Sequence, residues 1–188
     1  MIGFLKNELL DLKNLLVHHW TPISIVSFST LLIILVKERK HPILPKLHLD
    51  GIPDHSLKGL VYWGLVPMMF GFLLTKKSPL KLGLGLGNYR YWVPASLWFL
   101  IIALPLVYIS GSAGSFQQYY AAGNSFDLLE YVWRIGLYML GWEFFYRGFM
   151  TLGLKDSLKE GAILVQMVPF TLLHLGKPMA ESVACIPS

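Results

Sequence analysis

The chain has 188 residues, of which 54% are hydrophobic and only 14% charged, against roughly 45–50% and about 25% in an average soluble domain. With a mean hydropathy of +0.53, there is too little charge to coat a water-soluble globule, and an integral membrane protein is expected. The net charge of +5 lies beside apolar runs, where it reads as topology signal and lipid anchor and not as a nucleic-acid surface; the single Cys185 excludes an internal disulfide and a multi-cysteine metal site.

Residues 1–19 place Ile2, Leu5, Leu9, Leu12 and Leu16 at helical spacing, with Lys6, Asn7, Asp11 and Lys13 on other faces. This predicts an amphipathic helix lying on the membrane surface. Early Glu8 and Asp11 and the lack of a small-residue cleavage site speak against a signal peptide. A first membrane span is expected over 15–36, stopped by KERK at 37–40, and the Pro/Gly-rich stretch 41–56 reads as a loop. A second span covers 57–75, with Lys58 snorkelling to the interface. The stretch LGLGLGN at 82–88 lacks the lysine and the preceding strand of a phosphate loop and is expected to be flexible. A third, uncharged span covers 91–109, followed by a small, polar loop over 110–127. A fourth helix is expected over 128–154 and a fifth over 161–175. The fold class is therefore an all-α polytopic bundle of about five spans plus the surface helix. It divides into 1–19 (surface helix), 20–127 (N-terminal transmembrane helices) and 128–188 (the chemistry-bearing region). Eight Lys and Arg flank the spans on the side of the N-terminus and five on the other, which predicts a cytoplasmic N-terminus in a multi-pass cell-membrane protein.

The fourth helix alone carries several charges inside a span: Glu130, Arg134, Glu143 and Arg147. Ionisable groups in the hydrocarbon are costly and usually face protein or water. Glu130 and Arg134 sit near the helix start, where snorkelling accounts for them. Glu143 and Arg147 are an i,i+4 pair in GWEFFYRGFM (141–150), where the cation keeps the carboxylate charged. Glu143 is then a candidate to orient or deprotonate a water, an internal salt bridge being the alternative. On the fifth helix Phe170 and His174 share a face, with Pro169 positioned to kink the helix beside them. His174 is a candidate base or metal ligand, or a packed interfacial residue.

The run Glu143-Phe144-Phe145-Tyr146-Arg147-Gly148 and the run Phe170-Thr171-Leu172-Leu173-His174 together resemble the CPBP family of intramembrane proteases, also called the CAAX-protease and bacteriocin-processing or Abi family. Its motifs are Glu-Glu-x-x-x-Arg and Phe-x-x-x-His, and the match covers about residues 139–181. The resemblance implies a helical membrane protease with its site between facing helices. Glu143, Arg147 and His174 would be catalytic and Phe170 would contact the substrate. A divalent metal such as zinc, held by Glu143 and His174, is one implied option and a metal-free glutamate mechanism the other. The implied substrates are membrane-associated peptides or lipidated proteins, with membrane lipid as the surrounding partner and no nucleic acid. The chain departs from the family twice. Trp142 stands where the first glutamate belongs, and no His follows His174, so the later His-x-x-x-Asn/Asp motif is absent, as expected of a C-terminally shortened member. A non-catalytic relative that regulates a membrane partner or confers bacteriocin immunity is the alternative expectation. Transport has less in its favour, because no span outside this region carries an intramembrane charge.

Overall fold

The computed structural model describes residues 2–39, 54–120 and 127–186. All regular structure among them is helical: α1 (Ile2–His18), α2 (Trp20–Arg39), α3 (Asp54–Thr75), a short turn α4 (Leu80–Leu84), α5 (Tyr89–Gly111), α6 (Gly114–Tyr119), α7 (residues 128–158), α8 (Gly161–Leu172) and α9 (Met179–Ala184). Three segments are long and apolar enough to cross a membrane: Trp20–Lys37, Asp54–Thr75, and one within Leu80–Gly111 whose regular helix is α5. At ~1.5 Å per residue, the 23 residues of α5 reach about 34 Å, more than the ~30 Å hydrocarbon core. None of its residues is buried against protein. Its Trp98, Phe99, Ile102 and Val107 are open on all sides, which is stable in lipid and not in water.

The other two expected spans differ from these. The α7 helix carries the four charges, and α8 has only 12 residues, because turns at 173–176, with Gly176 at φ +93°, end it before Pro178. The chain breaks at His19 between α1 and α2. From residue 5 onward every side chain of α1 is open, apolar and polar alike. Most of the expected 41–56 loop and residues 121–126 of the 110–127 loop lie outside the described residues. The remainder is in part helical, since 54–56 open α3 and Gly114–Tyr119 forms α6.

The structural centre is a parallel pairing of α3 with α7. Ser56 Oγ donates to the Arg134 carbonyl at 2.9 Å, Gly59 lies under the Tyr138 ring, Gly64 faces Gly141, and Gly71 faces Phe149, so both chains advance together. Small residues on both sides let the backbones approach closely. At the far end Lys77 Nζ donates to the Leu152 carbonyl at 2.9 Å and pairs with Asp156 at 3.0 Å. Lys58 is buried and reaches back one turn to Asp54 at 2.8 Å, as a snorkelling lysine would.

Both helices of the pair widen from α to π geometry, over Leu60–Leu65 and Phe144–Leu152. In α3 the cause is Pro67, which has no N–H for the Trp63 carbonyl and crowds it. In α7 the Thr151 hydroxyl donates to the Tyr146 carbonyl at 2.9 Å, within the widened turns. The 82–88 stretch is not free along its whole length: Leu82 is fully buried and its carbonyl rests on Gly148. Gly83 takes φ +106° there, a conformation that suits glycine. Packing against the widened part of α7 overrides the expectation of a flexible loop. Fully buried Ile25, Phe145, Tyr146, Phe149 and Leu154, with Phe28 stacked on Phe70 at 4.0 Å, complete the core.

Candidate active site between two helices

The α7 segment 142–147 and the end of α8 meet side by side. On α7, the Arg147 Nε donates to Glu143 Oε2 at 3.3 Å, with the side chains 37% and 48% exposed respectively. The pair is thus more open than a deep intramembrane salt bridge. The other face of the Arg147 guanidinium lies 4.6 Å from the centre of the Phe170 ring, a cation–π contact worth about 0.5–2 kcal/mol depending on desolvation. Phe170 in turn lies 4.7 Å from the His174 ring, one turn further along the chain. The four residues singled out in the sequence therefore form one continuous series of contacts, Glu143–Arg147–Phe170–His174.

His174 is oriented by its own backbone. Its Nδ1–H donates to the Phe170 carbonyl at 2.8 Å, which leaves Nε2 with the lone pair when the ring is neutral. The His174 carbonyl accepts from Ser182 Oγ at 2.7 Å. Ser182 belongs to α9, which is fastened by Lys177 Nζ to Glu181 at 2.6 Å and by the Tyr120 hydroxyl to the same carboxylate at 2.6 Å. Burial pushes the Glu181 carboxyl up, but hydrogen bonds from Lys177 and Tyr120 outweigh it and hold the group below its ordinary value. Burial, with the Glu181 hydrogen bond and charge, drives the Tyr120 phenol up. Burial likewise raises the Cys185 thiol.

Trp142, one residue before Glu143, points at Phe170 and His174. Its ring is 6.4 Å from His174 and 6.2 Å from Phe170, and it packs on Trp63 at 5.2 Å and Tyr146 at 4.9 Å. Glu143, one residue on, is turned toward Arg147, and no hydrogen bond or ion pair joins it to His174 among the described residues. Of the other charged pair, the Arg134 carbonyl serves the α3 contact and the Glu130 side chain lies outside the described residues.

Sequence reasoning misses the aromatic wall, although Tyr138, Trp142 and Tyr146 recur every four residues and so signal one helix face. Gln166 extends the Phe170–His174 face by another turn. It is buried, and its amide nitrogen has no partner among the described residues, as is true of the Tyr146 hydroxyl and Arg147 Nη1. A catalytic zinc site takes three protein ligands. Glu143 and His174 are two, and no group of three His, Cys, Asp or Glu comes together among the described residues. The donor set does not fit a zinc site. Comparisons with protein-family models, curated proteins and solved structures find no match to this chain.

Proposed function

We propose that this chain is a membrane endopeptidase of the CPBP type, acting on a membrane-associated or lipidated peptide by water activated at Glu143. The observation that carries the reading is the Arg147–Phe170 contact at 4.6 Å, which joins the two motifs of the resemblance into one site. Glu143 takes the proton of an attacking water as the water oxygen adds to the scissile carbonyl carbon, and returns it to the amine that leaves when the C–N bond breaks. His174 Nε2 holds the water or receives its proton, and a free Arg147 N–H supports the developing oxyanion. None of these steps calls on a metal.

Helices α7 and α8 complete a five-span bundle in this reading, and α1 lies on the membrane surface. With the N-terminus cytoplasmic, α2 runs outward. Leu173, just past the end of α8 and beside His174, lines one cavity with Lys37 at the end of α2, the end that this orientation puts toward the external face. A second reading, a non-catalytic relative that binds a membrane partner, is favoured by one observation: the Trp142 ring stands against His174 where the family carries a carboxylate.

The deciding experiment is hydrolysis of a panel of fluorogenic peptides, plain and lipidated, in proteoliposomes. The wild-type chain is expected to cleave, and Glu143→Gln and His174→Ala to lose at least about 10²-fold, the usual contribution of a positioned acid–base group. Well-folded wild-type protein that cleaves nothing, or cleavage that survives both substitutions, removes the peptidase reading and leaves the binding one.

A further inference from the structure

Two cavities meet at one cation. The first, of about 440 Å³, is an apolar groove between α2 and α8 walled by Val26, Ile33, Ile34, Val165, Val168 and Leu172, with Lys37 at its end. The second, of about 480 Å³, continues past Lys37, shares Ile33 and Leu173 with the first, and is lined by His55, Trp63, Tyr138 and Trp142. In this second cavity the Trp63 ring is buried. Its Nε1–H is enclosed by protein and has no hydrogen-bond partner among the described residues. His55 is stacked on Tyr138 at 4.8 Å. The chemistry changes along the path from aliphatic walls to a cation, an imidazole and aromatic rings.

The dimensions match one leaflet. From Val26 to Lys37 the α2 wall advances eleven residues, about 16 Å at ~1.5 Å per residue, which is half of the ~30 Å hydrocarbon core. A groove one leaflet deep, mainly apolar with only Ser29 and Thr30 as polar residues in its wall and headed by a cation, fits an amphiphile with a long hydrocarbon chain and an anionic head. The ammonium of Lys37 supplies the charge complement of such a head group. We propose that the α2–α8 seam is a site for one anionic lipid. Its acyl chain lies against Ile33, Ile34 and Val168. Its phosphate sits at Lys37, at the mouth of the recess that His55 and Trp142 also line. The assignment does not depend on peptidase activity. It places a bound lipid against Trp142, the residue that abuts His174.

The test uses the whole chain purified in a neutral maltoside. Its melting temperature is followed while phosphatidylglycerol, phosphatidylcholine of the same chains, or inorganic phosphate is added. Phosphatidylglycerol is expected to stabilise saturably, and phosphatidylcholine much less. Lys37→Gln should weaken the phosphatidylglycerol effect about fivefold, the contribution of one lysine near an anionic lipid, and Lys37→Arg should restore it. Val168→Trp, which fills the groove from an exposed position, should abolish it, whereas Lys13→Gln on α1 should leave it intact. Should Val168→Trp fail to fold, the Lys37→Gln and Lys37→Arg pair decides. Equal effects of the two lipids, or equal weakening by Lys13→Gln and Lys37→Gln, overturn the site in favour of diffuse attraction. Full stabilisation by inorganic phosphate alone overturns the acyl-chain half and leaves a soluble-anion site.

Discussion

Two glycines in α7 make opposite predictions for the same substitution. A methyl group added at Gly136 would meet nothing within 4 Å, whereas a Cβ on Gly141 would lie 2.9 Å from the Gly59 carbonyl oxygen, 3.2 Å from Leu60 Cα and 3.3 Å from Gly64 N. All three neighbours are backbone of α3 and cannot swing aside, so relief requires α3 and α7 to separate by about 0.5 Å to reach ordinary contact. Gly136→Ala should stabilise by about 0.5–1 kcal/mol, the helix-propensity difference. Gly141→Ala receives the same gain but incurs overpacking of about 1–3 kcal/mol, for a net loss of up to about 2.5 kcal/mol and about 1 kcal/mol at mid-range. The two variants should therefore differ by roughly 2 kcal/mol in opposite directions when unfolded by SDS in mixed micelles. Gly141→Ala should also disturb the emission of Trp63 and Trp142, which touch across the same seam. Equal stabilisation by both substitutions would refute the close parallel approach of α3 and α7, and with it the placement of Trp142 against His174.

Trp142→Glu restores the carboxylate that the resemblance expects beside His174, and peptide hydrolysis should rise at least tenfold in an active chain; an unchanged or lower rate in a folded variant would show that Glu143 alone serves. Ser182→Ala frees the His174 carbonyl from α9 and should lower kcat several-fold with KM little changed, a split that steady-state kinetics reads directly. Glu181 has a depressed pKa in the folded protein, so its contribution to stability is fully present above the ordinary carboxyl value of 4.5 and is lost as pH falls through the lower folded value. The stability gap between wild type and Glu181→Gln, followed by thermal melts from neutral pH downward, should close across that window, and a gap that widens on acidification would contradict the sign.

Much of the helical order is legible in the sequence because lipid imposes a simple rule: the backbone must satisfy its own hydrogen bonds, so long uncharged runs become helices. Residues 91–109 illustrate it, the helix found being only two residues longer at either end. Spacing also puts Glu143 with Arg147 and Phe170 with His174, since i,i+4 neighbours need only one helix. What spacing along one chain does not fix is the approach of two helices. The glycines at 59, 64, 71 and 141 set the α3–α7 register through steric closeness, a signal distributed over two distant segments. The burial of Leu82 follows from Gly148 offering backbone in place of a side chain, and nothing in LGLGLGN itself announces it. The α9 clasp depends on Tyr120 reaching Glu181 across 61 residues.

The widening of α7 bears directly on how the motif works in this chain. A helix of the α type advances about 100° per residue, which separates the faces of Trp142 and Glu143 and gives position 142 to His174. From Phe144 onward the turns are π-type, with more residues per turn, so Arg147 lags behind the α position and lies over Phe170 while still reaching back to Glu143. Arg147 thus carries the link between Glu143 and Phe170. In its place Trp142 supplies a rigid aromatic surface shared by Trp63, Tyr146, Phe170 and His174. The site is therefore asymmetric: an open, charged edge at Glu143 and Arg147, and a closed aromatic edge at Trp142. On the proposed reading water enters at the first edge and an apolar group of a bound partner meets the second, so Glu143→Gln should lower the rate, whereas an apolar replacement at 142, which adds no carboxylate, should alter selectivity among apolar ligands.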